Sequence, residues 1–486
     1  MSALPSDSSA TRPPGVSRRE WLAAGAVAVG GALLGTARRA AALPATWDAA
    51  EAAAALAPDT SAAAGEAGLG PGAQTPPSAH RAPRRASLAT PYQGDRPARV
   101  VTPNGAALTG RRAADGAWVY HLVAGEVQHE FLPGLRATCW GYNGRVHGPT
   151  IEAVEGDTVR IYVTNRLGVP TTVHWHGLFL PSGMDGVGGL SQPSIPPGQT
   201  FVYTFPLRQH GTFMYHAHHD EMAQIALGLT GLFIVHPRRE TRPPDRDFAL
   251  MLHQWAIRPG ASRPDPNEMT DFNVLTFNGR AFPGTDPLVV GHMDRVRIRM
   301  GNLGPMDHHP IHIHGHAWRI VATDGGPVPP GAQFPETTAL VPVGATRTVE
   351  FVADAPGDWA MHCHMTHHVM NQMGHGVPNM TGVDSRALDR AVQPLVPGYM
   401  TMGEHGMDDM GRHVEMGHMP VPENSAPMVG AEGPFGYITM GGMYTNLKVR
   451  PKPVDYTRDP GWYDHPPGTV AARASAAQAA ADGLQL

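Results

Sequence analysis

Between residues 95 and 395 apolar and polar positions alternate in short runs, each closed by Gly, Pro, Asn or Asp. The runs "GDTVRIYVTNRL" (156–167), "PTTVHWHGLFL" (170–180), "GQTFVYTFPL" (198–207), "GTFMYHAHH" (211–219) and "LTGLFIVHP" (229–237) are rich in β-branched and aromatic residues. A period of two in such composition predicts strands, and strands at intervals of about ten residues predict a sandwich. The order then returns in "MDRVRIRMGNLG" (293–304), "HPIHIHGHAWRIV" (309–321), "GATRTVEFVAD" (344–354) and "GDWAMHCHM" (357–365). "GDTVRIYVTN" precedes "HWHG" as "MDRVRIRMGN" precedes "HIHG", a duplication with a period of about 140 residues that predicts two related β domains, 95–240 and 241–395. The boundary falls at "RRETRPPD" (238–245), and from 396 to 486 the alternation dissolves into a Met- and His-rich tail.

Ahead of the strands, "SRREWL" (17–22) sets Arg18 and Arg19 before the apolar run "AAGAVAVGGALLG" (23–35). Residues 1–43 look like a twin-arginine export signal, which predicts a periplasmic or extracellular location. The apolar run is too short and too rich in Gly and Ala for a stable membrane span. Residues 44–94 are rich in Ala, Pro and Ser and read as a disordered linker. Only 16% of the 486 residues are charged and the net charge is −5, so no basic field exists to attract nucleic acid. Gly (57) and Pro (48) fit turn-rich β structure, and the two cysteines, Cys139 and Cys363, give no disulfide framework.

Histidine (27) and methionine (23) are the residues in excess, and their placement changes the picture. Four His-x-His triplets occur: His174/His176, His216/His218, His312/His314 and His362/His364. On a strand, both histidines of a triplet share a face and the residue between them points the other way. In the last triplet that residue is Cys363, so one strand offers two imidazoles to one metal centre and a thiolate to another. Structural zinc prefers four mostly cysteine ligands, whereas many imidazoles with one thiolate suit copper. His309 lies three residues before His312; His368 and Met373 lie five and ten residues after Cys363. Two histidines, a thiolate and a distant thioether are the ligand set of a blue electron-transfer copper. His367 adjoins His368, and Met370 competes with Met373, so a register slip of either ligand stays open.

The motifs "HWHG" (174–177), "HAH" (216–218), "HPIHIHGH" (309–316) and "HCHMTHHVMNQM" (362–373) together resemble the multicopper oxidases. The resemblance implies two cupredoxin-like Greek-key β-sandwich domains in an all-β chain. It also implies that His309, Cys363 and His368 hold type 1 copper with Met373 axial, and that His174 and His312 hold type 2. His176, His216, His218, His314, His362 and His364 would hold the type 3 pair, for about four coppers per chain. The implied activity is one-electron oxidation of a phenolic compound or a metal ion such as Cu(I), coupled to reduction of dioxygen to water. Only about 90 residues separate His218 from His309, so the resemblance is to the two-domain, small-laccase-like type. That type implies a homotrimer whose trinuclear sites close between subunits. Ala217 stands where the second domain has Cys363, so the first domain should carry no type 1 copper. Asp185, in "SGMDGV", matches an acidic position of small laccases and is a candidate proton relay; an Asp-Gly turn is the plainer alternative.

The tail concentrates thioethers: Met400, Met402, Met407, Met410, Met416, Met419, Met428, Met440 and Met443, with His405, His413 and His418 among them. Thioethers favour Cu(I), so the tail suggests cuprous-ion capture and copper tolerance, or alternatively a cover for a neighbouring subunit. Two further alternatives are a copper nitrite reductase and a copper carrier that uses the Met/His tail. The first would place type 1 copper in the first domain, and the second would have no need of the Cys363 bridge.

Overall fold

The computed structural model describes residues 87–258, 260–372, 387, 390–391, 394–395, 423–427 and 430–485. The export signal, the linker as far as residue 86, Met373, and Met400 to Met419 with Met428 and the three tail histidines lie outside the described residues.

The described residues are nearly all-β, with few and short helices, in a cupredoxin-like arrangement. In the first domain, strands Ala107–Arg112, Thr150–Val154, Thr230–His236, Gly211–His216 and His174–His176 lie side by side. A second layer holds Trp118–Leu132, Thr158–Asn165 and Thr200–Pro206, with Leu135–Tyr142 on Trp118–Leu132. The layers join where Arg111 and Arg112 pair with Val119 and Trp118. Alternation sends Tyr120, Leu122, Ile161, Val163, Trp175, Tyr203, Tyr215 and Phe233 into one core, all 2% exposed or less.

The second domain repeats the plan. One sheet runs Val274–Phe277, Arg246–Trp255, Arg295–Asn302, Thr346–Val352 and Trp318–Thr323. The other runs Leu288–Gly291, Tyr444–Arg450, Gly357–Cys363, His309–Ile313 and Thr338–Val341. Ile298, Met300, Ile311, Trp318, Val349, Met361 and Leu447 fill the space between them.

Five elements fall in segments read from the sequence as linker or tail; besides Ala431–Gly433, Gly436–Ile438 and Ala476–Ala481, two join the main sheets. Tyr92–Gly94 pairs with the strand that begins at Ala107, inside the stretch taken for linker. Tyr444–Arg450, inside the stretch taken for tail, is an interior strand between Leu288–Gly291 and the strand of Cys363. Its alternation is hidden because six of its seven residues are buried. Lys448 is tolerated there because its ammonium sits 2.7 Å from Asp459 and over the Trp462 ring.

The domains meet through Phe131, Leu135, Cys139, Trp255, Ile257 and Val274, and through Met214, Leu232, Ile234, Ala249 and Met251. Arg299 is held to Asp247 by two 2.8 Å bonds and donates to the hydroxyl of Thr212, four residues before His216 on the same strand. The bidentate pair holds the guanidinium within the second domain, and its 3.1 Å bond to Thr212 ties the His216 strand to that domain. Among the described residues no helix is long and apolar enough to cross a membrane.

Candidate metal centres

Strand pairing decides which histidines meet. In the first domain His174 is registered against His216, and in the second His312 against His362. Each pair brings its triplet partner along, giving two quartets. His174, His176, His216 and His218 have ring centroids 5.3–5.9 Å apart in their closest pairs. His312, His314, His362 and His364 have theirs 4.9–5.6 Å apart.

The rings are oriented by backbone carbonyls. The Nδ1 of His174 lies 2.8 Å from the carbonyl oxygen of Asp185, that of His216 2.9 Å from Ala217, that of His312 2.8 Å from Thr337 and that of His362 2.8 Å from Cys363. An Nδ1–H donated to each carbonyl leaves Nε2 with its lone pair free, the tautomer a metal requires. His176 is turned the other way, its Nδ1 3.4 Å from Nε2 of His216, and the Nε2 atoms of His314 and His362 stand 3.2 Å apart. Such lone-pair convergence is what a bound cation relieves. Burial holds the His216 imidazole down to about 3 and lowers those of His176, His314 and His362 as well, which favours the neutral rings a metal could bind.

On the other side of the Cys363 strand lies a separate cluster. Cys363 and His309 are fully buried and His368 is 8% exposed. His309 comes from the start of its strand, Cys363 from the end of its own, and His368 from the short helical turn Thr366–Val369. The Cys363 Sγ is 3.8 Å from Nδ1 of His309 and 3.5 Å from Nδ1 of His368, and the two Nδ1 atoms are 3.2 Å apart. Burial pushes the Cys363 thiol up to about 12, the His368 ring down to about 4 and the His309 ring well below its usual range. Without a cation the thiol keeps its proton and both rings are neutral; a soft cation displaces that proton and meets three donors at once. The donor set fits copper.

The structure gathers eleven of the metal-ligand candidates into three separate groups and places Asp185 beside His174; Met373 lies outside the described residues. His368, not His367, faces the thiol: His367 is exposed. Asp185 touches His174 twice, by its carbonyl and by a carboxylate oxygen 3.4 Å from Nδ1, and its own N–H donates to the Ser182 carbonyl at the end of the short helical turn Ser182–Met184. Sequence reasoning missed Glu221, whose carboxylate lies 3.6 Å from both His216 and His218, and Asp307, 3.6 Å from Nε2 of His368. It also missed Tyr444, stacked on His362 at 6.5 Å. Asp307, next to "HHPIHIH", carried a positional signal; Glu221 and Tyr444 carried none.

Residues 124–240 and 258–382 each match the multicopper oxidase family. Copper resistance protein A of Escherichia coli is 28% identical over 60% of this chain and 55% of its own length. Laccase-19 of Oryza sativa subsp. japonica is 30% identical over 51% of this chain and 44% of its own length. The chain thus spans about half the length of these curated relatives. Among solved structures, the blue copper oxidase of Nitrosomonas europaea superposes with a TM-score of 0.50 at 26% identity, covering 68% of this chain and 85% of the other.

Proposed function

Because the chain belongs to the multicopper oxidase family, we propose that it oxidises a phenolic compound or a metal ion such as Cu(I), one electron at a time, and reduces dioxygen to water. The observation that carries this is Cys363, whose thiol joins His309 and His368 on one face of a strand while its neighbours His362 and His364 join a histidine quartet on the other. Copper supplies the one-electron chemistry and the dioxygen reduction when bound. His309, Cys363 and His368, with Met373, would hold type 1; His174 and His312 type 2; His176, His216, His218, His314, His362 and His364 type 3. The protein's contribution is distance and orientation. Cys363 links the two centres through a few covalent bonds, and the carbonyl acceptors fix the ring tautomers. Asp185 is assigned the delivery of protons beside His174, supported by the 3.4 Å approach of its carboxylate.

The two quartets belong to different domains, and every ring contact among these eight histidines lies within one quartet. The second quartet opens onto a cleft of about 660 Å³ lined by His312, His314, Thr337 and Asp354. This supports a homotrimer in which the first quartet of one subunit closes on the second quartet of the next. A monomer by gel filtration that retains full turnover would contradict it. The Met-rich segment is assigned to cuprous capture on its thioethers, which favour Cu(I). Export by the twin-arginine route to the periplasm or beyond completes the proposal; replacing Arg18 and Arg19 with Lys should retain the protein in the cytoplasm.

Oxygen consumption tests the activity. The copper-loaded chain should consume dioxygen with Cu(I), Mn(II) or a phenol as sole reductant and carry an intense blue band. Loaded protein that consumes none with any of the three would refute the assignment. Faster turnover with Cu(I), lost on deleting 400–428, would identify the cuprous ion as the reductant.

A further inference from the structure

Two amides follow the turn that presents His368, and both are buried: Asn371 is 1% exposed and Gln372 5%. Buried amides make hydrogen bonds, and the partners of Asn371 lie far away in sequence. Its Oδ1 accepts from Gly442 N–H at 2.8 Å and its Nδ2 donates to the carbonyl of Phe282 at 3.0 Å. Phe282 N–H donates in turn to the Gly442 carbonyl at 2.9 Å, so Asn371, Phe282 and Gly442 form a closed ring of three bonds.

That ring grips the segment which joins both protein ligands. Gly441 N–H donates to the Val369 carbonyl at 2.7 Å, Met443 N–H to the His368 carbonyl at 2.9 Å, and Cys363 N–H to the Met443 carbonyl at 3.0 Å. Met443 therefore bonds the backbone of His368 on one side and of Cys363 on the other. The approach is close enough to exclude side chains. Gly442 has φ +57°, and a Cβ there would run into the carbonyl oxygen of His368; a Cβ on Gly441 would run into the Asn371 amide.

We propose that Asn371 is a positioning residue for the type 1 copper: by holding Gly442 against the His368 carbonyl, it fixes the His368 ring relative to the Cys363 thiol. This rests on the type 1 assignment above. Four residues separate Cys363 from His368, and such a loop relaxes toward whatever geometry each oxidation state prefers. Pinned on both flanks by Met443, it cannot. The ligand field and the balance between oxidised and reduced copper are then set by the protein, as outer contacts commonly do at metal sites.

The test uses the full chain loaded with copper in three forms, Asn371→Ala, Asn371→Asp and Gly442→Ala, beside the wild type. Copper content, the blue absorption band, the electron-paramagnetic hyperfine coupling and the type 1 midpoint potential are measured, with thermal melts of the copper-free proteins as a control. Asn371→Ala and Gly442→Ala should bind the same copper but show a displaced band, altered coupling and about a tenfold change in the oxidised-to-reduced ratio at fixed potential, about 59 mV for one electron. Asn371→Asp keeps an acceptor for Gly442 N–H and should move these signatures less. Lower melting temperatures with band, coupling and potential all unchanged, in whichever variant folds, would overturn the proposal. A wild type that binds copper yet shows no blue band would instead overturn the type 1 assignment itself.

Discussion

Between His216 and His218 stands Ala217; between His362 and His364 stands Cys363. Both middle residues are fully buried, in the cores of their own domains. The match extends to their neighbours. Three residues before the earlier triplet of each domain stands Thr171 or His309, and in the short helical segment after the later triplet stands Gln224 or His368. His309 and His368 turn their Nδ1 atoms toward the thiol. Thr171 instead donates its hydroxyl to Gln224 Oε1 at 2.7 Å, both side chains fully buried. One fold therefore builds a quartet of histidines twice, but puts a pair of imidazoles and a thiol behind it once and a neutral hydrogen bond behind it the other time. Alternation along the strand makes this independence available: the quartet face and the core face can change separately.

The largest effect should come from erasing the difference in the second domain. Cys363→Ser replaces a soft sulfur with a hard hydroxyl at a buried position of nearly equal size, so the fold should survive while the blue band and dioxygen turnover fall to background. Absorption and oxygen-electrode measurements on reloaded protein check this. Retained colour and turnover would remove the basis of the assignment.

Next comes the separation of the quartets. His176→Ala/His216→Ala disables the first quartet, and His314→Ala/His362→Ala the second. Each should be inactive alone. Co-expressed in equal amounts, they should recover about a quarter of the wild-type sites if each site takes its quartets from neighbouring subunits at random. Recovery of nothing, with mixed oligomers demonstrated by tag pull-down, would place each site within one chain.

The quartets also differ in their acids. The first has Asp185 and Glu221 against its rings, whereas Thr337 and Thr338 orient His312 in the second. Asp185→Asn isolates the acid function, because the bond that orients His174 goes to the backbone carbonyl and remains. Turnover should drop about 10–100-fold with copper content unchanged. The pH dependence of turnover should change, and an unaltered profile would return Asp185 to the role of a turn residue.

The ligands were legible in the sequence because their logic is covalent: triplet spacing and a period of two suffice to aim His362 and His364 one way and Cys363 the other. Two related sandwiches followed from the repeated strand order. The cross-strand registers of His174 with His216 and His312 with His362 were not legible, since pairing is settled by packing across the sheet. Nor were the carbonyls of Asp185, Ala217, Thr337 and Cys363, a group every residue carries. The strand Tyr444–Arg450 escaped notice because nearly all of it is buried and its charged residue is compensated from outside the strand: Lys448 donates to Asp459. A sequence displays the side chain and conceals the partner that makes burying it tolerable.

The smallest effect should come from adding only the cysteine to the first domain. Ala217→Cys inserts a sulfur into a full core beside Trp175 and Tyr215, at a cost of about 1–3 kcal/mol seen as a lowered melting temperature. No second blue band should appear, because Thr171 and Gln224 offer no imidazole. Adding Thr171→His and Gln224→His breaks their buried hydrogen bond but supplies both missing rings at once. If the two domains differ only at these three positions, the triple variant should bind about one copper more per chain than wild type, with a thiolate charge-transfer band that survives Cys363→Ser. Absence of that band in folded, copper-saturated triple variant would mean that the His368 turn and its clamp by Gly442, for which the first domain has only the helix Glu221–Ala226, matter as much as the ligands themselves.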